Sequence, residues 1–306
     1  MQSGVRVSVI VPHYRDLARL DVCLSLLERQ SFPRDAFEII VADNGTPEID
    51  ALRAIVRDRA RLVVVPERGA GPARNGGVAA ANGRLLAFTD SDCQPEADWL
   101  MAGVRALARY DFVGGCVKVL VEDAEHVTAT EAFERVFAFD FKTYIERKGF
   151  TGSGNLFCPR DVFRRVGGFK TGVSEDVEWS YRARAAGFRL GYEPNAVVGH
   201  PGRRTWAELL GKWRRLDAEM YQLAAAKPWG VGMWLLKSCL LPVSAVAHTP
   251  RVLFSRRLDS LSQRVGALRV LYHLRLWRFG DSMGLLANSL RQPVAMTGAA
   301  GGSVGR

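Results

Sequence analysis

Asp90 and Asp92 stand two positions apart at the end of the apolar run Leu85-Leu86-Ala87-Phe88-Thr89. If that run is a buried strand, a turn after it lets both carboxylates reach one hard cation. An oxygen-ligated divalent cation is what a diphosphate needs in order to leave as an anion. Taken alone, Asp-x-Asp is equally the mark of a solvated turn, so the apolar strand before it gives the pair its weight. A second acidic pair, Glu175-Asp176, opens a segment of helical pattern that ends at Gly187. The helix dipole favours acids in a first turn whatever their use, so this pair reads either as helix electrostatics or as chemistry.

The elements that must position these acids follow from the periodicity. Val7–Val11, Glu38–Ala42, Arg61–Val65 and Leu85–Thr89 read as buried strands, and residues 16–30, 48–58 and 72–82 as the helices between them. Pro72 suits the first turn of the third helix. Strand–helix alternation predicts an α/β fold, a mostly parallel sheet sandwiched by helices. Ligands of such sheets bind beyond the carboxyl ends of the strands. Pro12-His13-Tyr14, Asp43-Asn44-Gly45 and Asp90-Ser91-Asp92 therefore belong to one rim. Beyond them the pattern predicts a strand at Phe112–Leu120, a helix around 126–147, a Gly-rich stretch at Gly149–Gly154, a helix at 175–187, and short strands at Leu190–Tyr192 and Ala196–Val198.

From Thr205 onward the pattern is helical, and here the charge changes. Residues 1–200 hold 26 Lys+Arg against 27 Asp+Glu, whereas residues 201–306 hold 16 against 5, so the net charge of +10 resides in the last third. A basic region so localised suits an anionic surface. No nucleic-acid-binding motif accompanies it, so nucleic acid is not expected as a partner. Gly230–Ala247 contains one charge, Lys237, and interrupts its apolar run with Pro242. It is short for a bilayer span and reads as an interfacial segment or a packed apolar hairpin. Phe254, Leu258, Leu261, Val265, Leu268, Tyr272 and Leu276 repeat at helical spacing, a stripe that either faces lipid or packs on the protein's own core. The Gly- and Ala-rich tail, residues 291–306, reads as disordered. Five cysteines without paired spacing fit neither a disulfide framework nor a zinc site and favour a reducing compartment. Val7–Val11 is too short for a signal sequence and is followed by Pro12. The expected location is thus the cytoplasm, peripheral at the inner face of the plasma membrane.

Several motifs occur in one order: Val7-Ser8-Val9-Ile10-Val11-Pro12, Glu38 through Gly45, Gly71-Pro72-Ala73-Arg74-Asn75-Gly76-Gly77, the Asp-x-Asp strand, Gly152-Ser153-Gly154-Asn155-Leu156, Gly167-Gly168-Phe169, and Ser174-Glu175-Asp176-Val177-Glu178-Trp179. This set resembles the family-2 glycosyltransferases, inverting enzymes with the GT-A fold. The resemblance covers about residues 5–215. It implies a GT-A domain over 1–205, with a nucleotide-sugar half of about 1–110 and an acceptor half of about 111–205. A basic, apolar helical extension follows over 206–290. It also implies site roles. Pro12 and Tyr14 would lie along the donor's ribose and base, and Asp43 would accept from the base's ring N–H. Arg74 would pair with the diphosphate at the start of its helix. Asp90 would contact the ribose or the metal's water, Asp92 would ligate Mn2+ or Mg2+ directly, and His200, after Ala196–Gly199, would be a further ligand. Asp176 would be the general base, with Glu175 on acceptor hydroxyls, and Gly152, Ser153, Gly154, Asn155 and Trp179 would line the acceptor site. Plainer readings stay open: Asp43 as a turn former, Arg74 as a surface arginine, and His200 as a structural histidine capping the strand.

The expected reaction is one in-line displacement from a nucleotide diphosphate sugar, UDP foremost, to a saccharide or lipid-linked hydroxyl acceptor. Processive synthases carry Gln-x-x-Arg-Trp and several spans. Here the comparable stretch is Gly211-Lys212-Trp213-Arg214-Arg215, which points to adding one sugar at a time. Two other readings compete. A sugar-phosphate nucleotidyltransferase would open on a Gly-rich loop that Val11–Arg15 lacks. A non-catalytic membrane-surface protein would have no use for the intact acids.

Overall fold

The computed structural model describes residues 4–291. Its centre is an eight-stranded sheet of order β3-β2-β1-β4-β7-β6-β8-β5. The strands are β1 (Val7–His13), β2 (Phe37–Asp43), β3 (Arg61–Val64), β4 (Leu85–Thr89), β5 (Gln94–Pro95), β6 (Phe112–Leu120), β7 (Asn155–Pro159) and β8 (Leu190–Pro201). The half built from β3, β2, β1 and β4 is wholly parallel, as expected. The other half is mixed, with β7 antiparallel to both β4 and β6 and β5 antiparallel to β8. Every residue of β1 is buried, because helices cover both faces of the sheet. Its side chains alternate between two cores: Val7, Val9 and Val11 enter the one with Leu20, Leu24 and Trp99, and Ile10 enters the one with Phe88, Phe163 and Trp179.

The covering helices are α1 (Leu17–Glu28), α2 (Ile49–Val56), α3 (Ala70–Ala79), α4 (Trp99–Ala106), α5 (Ala129–Phe137), α6 (Phe141–Thr143), α7 (Arg160–Val166) and α8 (Glu175–Ala185). Helix α3 begins before Pro72, which sits in its first turn where a missing N–H costs nothing. Gly77 lets α3 lie on β1 and β2, since a Cβ there would come within 2.6 Å of Ile10.

The pattern misses β5, β7, α4 and α7, reads one interrupted helix as whole, and splits one strand in two. β7 is not anticipated: five residues opening on Asn155 and closing on Pro159 show no alternation, and only its place between β4 and β6 makes it a strand. The helix expected over 126–147 is interrupted after Phe137, because Phe139 takes a left-handed φ of 54°. The two short strands expected at 190–198 are one continuous β8, whose register against β6 shifts at Gly115/Cys116 to take up the extra residues around Pro194 and Asn195.

The last third is helical: α9 (Trp206–Ala225), α10 (Gly230–Cys239), α11 (Leu241–Leu253) and α12 (Leu261–Arg291). Thr205 and Glu208 form a capping box at the start of α9. These helices share a core with α5, formed by Phe133, Val136, Leu209, Ala245, Val252, Leu271 and Leu274 among others. The face of α12 that packs inward carries Ala267, Val270, Leu271 and Leu274. Of the anticipated stripe only Leu258 is buried, while Phe254, Leu261, Val265, Tyr272 and Leu276 are exposed. Among the described residues no single helix is long and apolar enough to cross a membrane; α10 and α11 together are, but they bend by 56° at Leu240. The expected disordered tail lies outside the described residues except for Arg291, which closes α12.

A buried ion pair fastens α9 to α12. Asp217, 1% exposed, accepts from Arg278 Nε at 2.9 Å and Nη2 at 2.6 Å, and that guanidinium lies 3.9 Å over the Trp213 ring. Removing one partner of a buried pair strands the other charge. Asp217→Ala should therefore destabilise the protein by about 3 kcal/mol in urea unfolding, whereas a surface change such as Asp50→Ala should cost roughly 0.5 kcal/mol or less.

Candidate active site

The turn after β4 brings Asp90 and Asp92 to the sheet's rim, and the end of β8 brings His200 to the same place. His200 Nε2 lies 3.6 Å from Asp92 Oδ2. Its Nδ1 is 2.9 Å from the Pro201 carbonyl oxygen. That oxygen can only accept, so in the neutral ring the proton sits on Nδ1 and Nε2 keeps a lone pair turned toward Asp92. Asp92 Oδ1 is buried and has no hydrogen-bond partner. Burial lifts the Asp92 carboxyl above its usual range; His200 opposes the lift and neighbouring Asp90 adds to it. An orphaned carboxylate oxygen, a second carboxylate and an imidazole lone pair are the donor set a manganese or magnesium ion fits. Cys93 also lies within reach of these acids. Burial pushes its thiol far up, so it stays protonated in the core and is a poor ligand for a hard cation.

The second acidic pair joins the first through one guanidinium. Arg74, buried at the second turn of α3, donates from Nη2 to Asp90 Oδ1 at 2.5 Å and from Nη1 to Glu175 Oε1 at 2.7 Å. Arg74 is thus no surface residue, and it sits deeper than the exposed helix start where the sequence would put it. Burial raises the Glu175 carboxyl; Arg74 pulls it down, while Asp176 and Asp90 add to the rise. Asp176 is half-buried. Its Oδ1 accepts from the Val177 N–H at 2.8 Å and the Ser174 hydroxyl at 3.2 Å, and its Oδ2 from the Ser153 N–H at 3.4 Å. Two glycines permit this approach: a Cβ on Gly154 would meet Asp90 Oδ2 at 2.6 Å, and one on Gly152 would meet the Phe141 ring at 2.5 Å. Asn75 secures the loop between the motifs by bonding the Phe169 N–H and carbonyl, each at 2.9 Å.

At the neighbouring strand ends Tyr14 is half exposed, Pro12 is buried, and Asp43 points inward. Asp43 Oδ1 takes the Thr46 hydroxyl at 2.6 Å and His13 Nδ1 at 3.0 Å, and Oδ2 takes the N–H groups of Thr46 and Gly45 at 2.9 and 3.1 Å. Burial alone would raise this carboxyl, but the Thr46, His13 and Gly45 hydrogen bonds outweigh it and hold it below the usual range. A fully buried carboxylate with both oxygens engaged has no lone pair directed at a base, so here Asp43 builds the rim turn.

Two expected acceptor-lining residues are structural. Asn155 is fully buried; its Oδ1 accepts from Trp99 Nε1, and its Nδ2 donates to the carbonyls of Cys116 and Ala196, each at 2.9 Å. Trp179 is likewise buried, bonds the Gly167 carbonyl at 2.9 Å, and packs on Phe112, Phe163 and Phe169. An Asn beside a Gly-rich loop and a Trp beside two acids look functional in one dimension; only the fold turns them inward. Conversely, Glu219 of α9 comes into the field of the second acidic pair. Its carboxyl is raised by burial, lowered by Arg215, and raised further by Glu175 and Asp176. Nothing in the helical pattern of 206–225 distinguishes Glu219 from a solvated acid.

Residues 8–170 match the model of glycosyl transferase family 2. Glycosyltransferase AglE of Haloferax volcanii is 28% identical over 302 residues, which cover 93% of this chain and 96% of that protein. Validoxylamine A glucosyltransferase of Streptomyces hygroscopicus subsp. jinggangensis is 39% identical over 223 residues, covering 60% of this chain and 52% of that protein. Among solved structures, a mannosyltransferase from Pyrobaculum calidifontis in complex with GDP-Man and Mn2+ superposes with a TM-score of 0.60 at 22% identity, over 95% of this chain and 87% of that one. That last likeness is one of fold.

The structural role of Asn155 has a direct consequence. Asn155→Ala removes the partner of a buried indole N–H and one hydrogen bond each from two strand carbonyls, and should cost about 3 kcal/mol in urea unfolding. A loss below about 0.5 kcal/mol would return Asn155 to the ligand-facing set.

Proposed function

Because this chain belongs to glycosyl transferase family 2 and so moves a sugar from a nucleotide-sugar donor to an acceptor, we propose that it transfers with inversion, in one displacement. The observation that supports this reading is the Arg74 bridge, which joins Asp90 of the Asp-x-Asp turn to Glu175 of the second acidic pair in a GT-A fold. Asp92 and His200 would hold Mn2+ or Mg2+, with Asp90 beside them. When bound, the cation supplies the positive charge that stabilises the departing diphosphate.

The chain's own residues do the rest. Asp176 takes the proton of the acceptor hydroxyl; two N–H contacts and the Ser174 hydroxyl hold its carboxylate in place. Glu175, anchored by Arg74, binds acceptor hydroxyls, and the backbone of Gly152, Ser153 and Gly154 forms the wall against which the acceptor sugar lies. Tyr14 offers its exposed ring to the donor base beside Pro12, and the Asp43–His13–Thr46 turn shapes that end of the rim. Arg74 faces the diphosphate from the buried side. We favour a UDP-sugar donor and a saccharide or lipid-linked acceptor, one sugar being added per encounter.

We further propose that residues 206–290 form a membrane-surface unit distinct in role from the transferase domain over 1–205, and that the enzyme works at the inner face of the plasma membrane. Support comes from the exposed apolar side chains of α10, α11 and their flanks. Trp229 is 88% exposed, Val243 64%, Val246 63% and Phe254 83%. The surplus of 16 basic over 5 acidic residues in the same third suits anionic head groups.

Three measurements test these statements. Incubation with Mn2+ or Mg2+ and a panel of UDP- and GDP-sugars should release nucleoside diphosphate; pyrophosphate release instead would favour a nucleotidyltransferase. Asp92→Ala should abolish metal-dependent donor binding by calorimetry, while Asp176→Ala should retain donor binding and lose about 10²–10⁴-fold in turnover. Normal turnover of Asp176→Ala would refute the base assignment. Serine at Trp229, Val243 and Phe254 together should weaken sedimentation with anionic vesicles by at least about tenfold; unchanged binding would end the membrane reading.

A further inference from the structure

Phe139 joins the cation centre to the helical third of the molecule. It is the left-handed residue between α5 and α6, with φ 54°. An L residue occupies that conformation at a cost, and one with a large ring needs its surroundings to hold it there. Those surroundings are fixed on both sides. The Ala138 N–H closes α5 on the Glu134 carbonyl at 2.8 Å. Asp140 caps α6 through the Thr143 N–H at 3.3 Å and accepts from Arg251 of α11 at 3.0 Å. The backbone so held puts the Phe139 ring against the His200 imidazole, with centroids 4.5 Å apart and planes inclined by 38°.

The ring is braced in turn. Lys212 of α9 places its ammonium 4.8 Å from the ring centroid, a cation–π contact. The same ammonium is held by Glu134 Oε1 at 2.8 Å, and Glu134 is 1% exposed. Glu134 Oε2 also accepts the backbone N–H of Arg203 at 2.8 Å, and Arg203 Nη1 lies 3.2 Å from Oε1. One buried carboxylate therefore fixes both the lysine behind the ring and the chain leaving β8 three residues after His200.

His200 itself has one hydrogen bond, from Nδ1 to the carbonyl of the very next residue. That bond sets the tautomer, and strand β8 fixes the backbone, but neither sets the rotation of the ring about its side-chain torsions. A flat aromatic surface against the imidazole supplies the second constraint, as outer contacts of a metal-binding histidine do elsewhere. We propose that Phe139 is a positioning residue of the cation centre: its ring, braced by the Lys212–Glu134 pair, fixes the plane of the His200 imidazole so that Nε2 faces the cation beside Asp92. This rests on the reading of His200 and Asp92 as cation ligands. It adds that the helical third, through α9, holds one of those ligands in place.

The test titrates the full-length protein with Mn2+ alone, following free Mn2+ by electron paramagnetic resonance, and records thermal unfolding of each variant. Phe139→Gly removes the ring and relieves the left-handed backbone. It should weaken Mn2+ binding by about tenfold while Tm falls little, because strain and packing are lost together. Phe139→Leu keeps the bulk without the flat face and should weaken binding in the same direction, which covers a glycine variant that does not fold. Phe139→Tyr should bind Mn2+ within about twofold of the parent, a rescue that mere gap-filling by leucine does not give. In sugar transfer, the Mn2+ concentration for half-maximal rate should rise in Phe139→Leu with little change in kcat at saturating Mn2+. His200→Ala separates the two layers of inference. If it weakens Mn2+ binding while Phe139→Leu leaves binding unchanged, the positioning role is overturned and the ligand reading stands. If His200→Ala itself binds Mn2+ as the parent does, the ligand reading fails and the proposal falls with it.

Discussion

Arg74 carries a permanent charge to a place with almost no access to water, its side chain only 5% exposed, and a buried guanidinium must be met by anions. It is met by Asp90 from the end of β4 and Glu175 from the first turn of α8. Those partners lie 16 and 101 residues away in sequence, so satisfying one cation fixes where two distant motifs stand relative to each other. The surrounding glycines follow from the same requirement. Gly154 must lack a side chain because Asp90 lies against its backbone, and Gly77 must lack one so that α3 can sit close enough to β1 to deliver the arginine.

The bridge is one of several contacts that define the second acidic pair. Glu175 is held by Arg74, and Asp176 by N–H groups of Val177 and Ser153. The carboxylates are thus aimed by groups that do not move independently of the sheet and α8. Aromatic packing completes the support: Phe169, Phe163 and Trp179 form one cluster beneath α8, and the Arg74 guanidinium lies 6.0 Å from the Phe169 ring.

Much of this was legible in one dimension. In the parallel half of the sheet β1, β2 and β4 read directly from apolar runs, because they are buried on both faces, while β3, expected as buried, is an edge strand that stays partly exposed. Asp90, Asp92, Arg74, Glu175, Asp176 and His200 also fall together as their motifs imply. What failed was direction. Asn155, Trp179 and Asp43 occupy motif positions yet spend their polar atoms on buried partners, and whether a polar side chain faces ligand or core depends on neighbours contributed by distant strands. β7 was missed because its strand character comes from pairing, and the break at Phe139 because no glycine or proline marks it. The α12 stripe was seen, but its orientation was not: spacing shows that a face exists, while packing on α5 decides which face is inside.

Charge divides the molecule in a way that ties these observations together. The rim gathers Asp90, Asp92, Glu175, Asp176 and, from α9, Glu219, an excess of negative groups over the one Arg74 guanidinium. Under the proposed function, such a site would disfavour an anionic donor unless a divalent cation arrived with or before it, which would couple cation and donor binding. Of the basic residues in the last third, Arg203 and Arg215 reach this field, the first lowering the Asp92 carboxyl and the second that of Glu219; exposed charges more than about 10 Å away are screened at moderate salt. Several cations of that third turn inward, among them Arg278 onto Asp217 and Lys212 onto Glu134, and lock the helices to one another and to α5. The chain thus joins an acidic rim to a basic flank, and α9 touches both, with Glu219 in the field of the rim and Lys212 and Asp217 in ion pairs with α5 and α12.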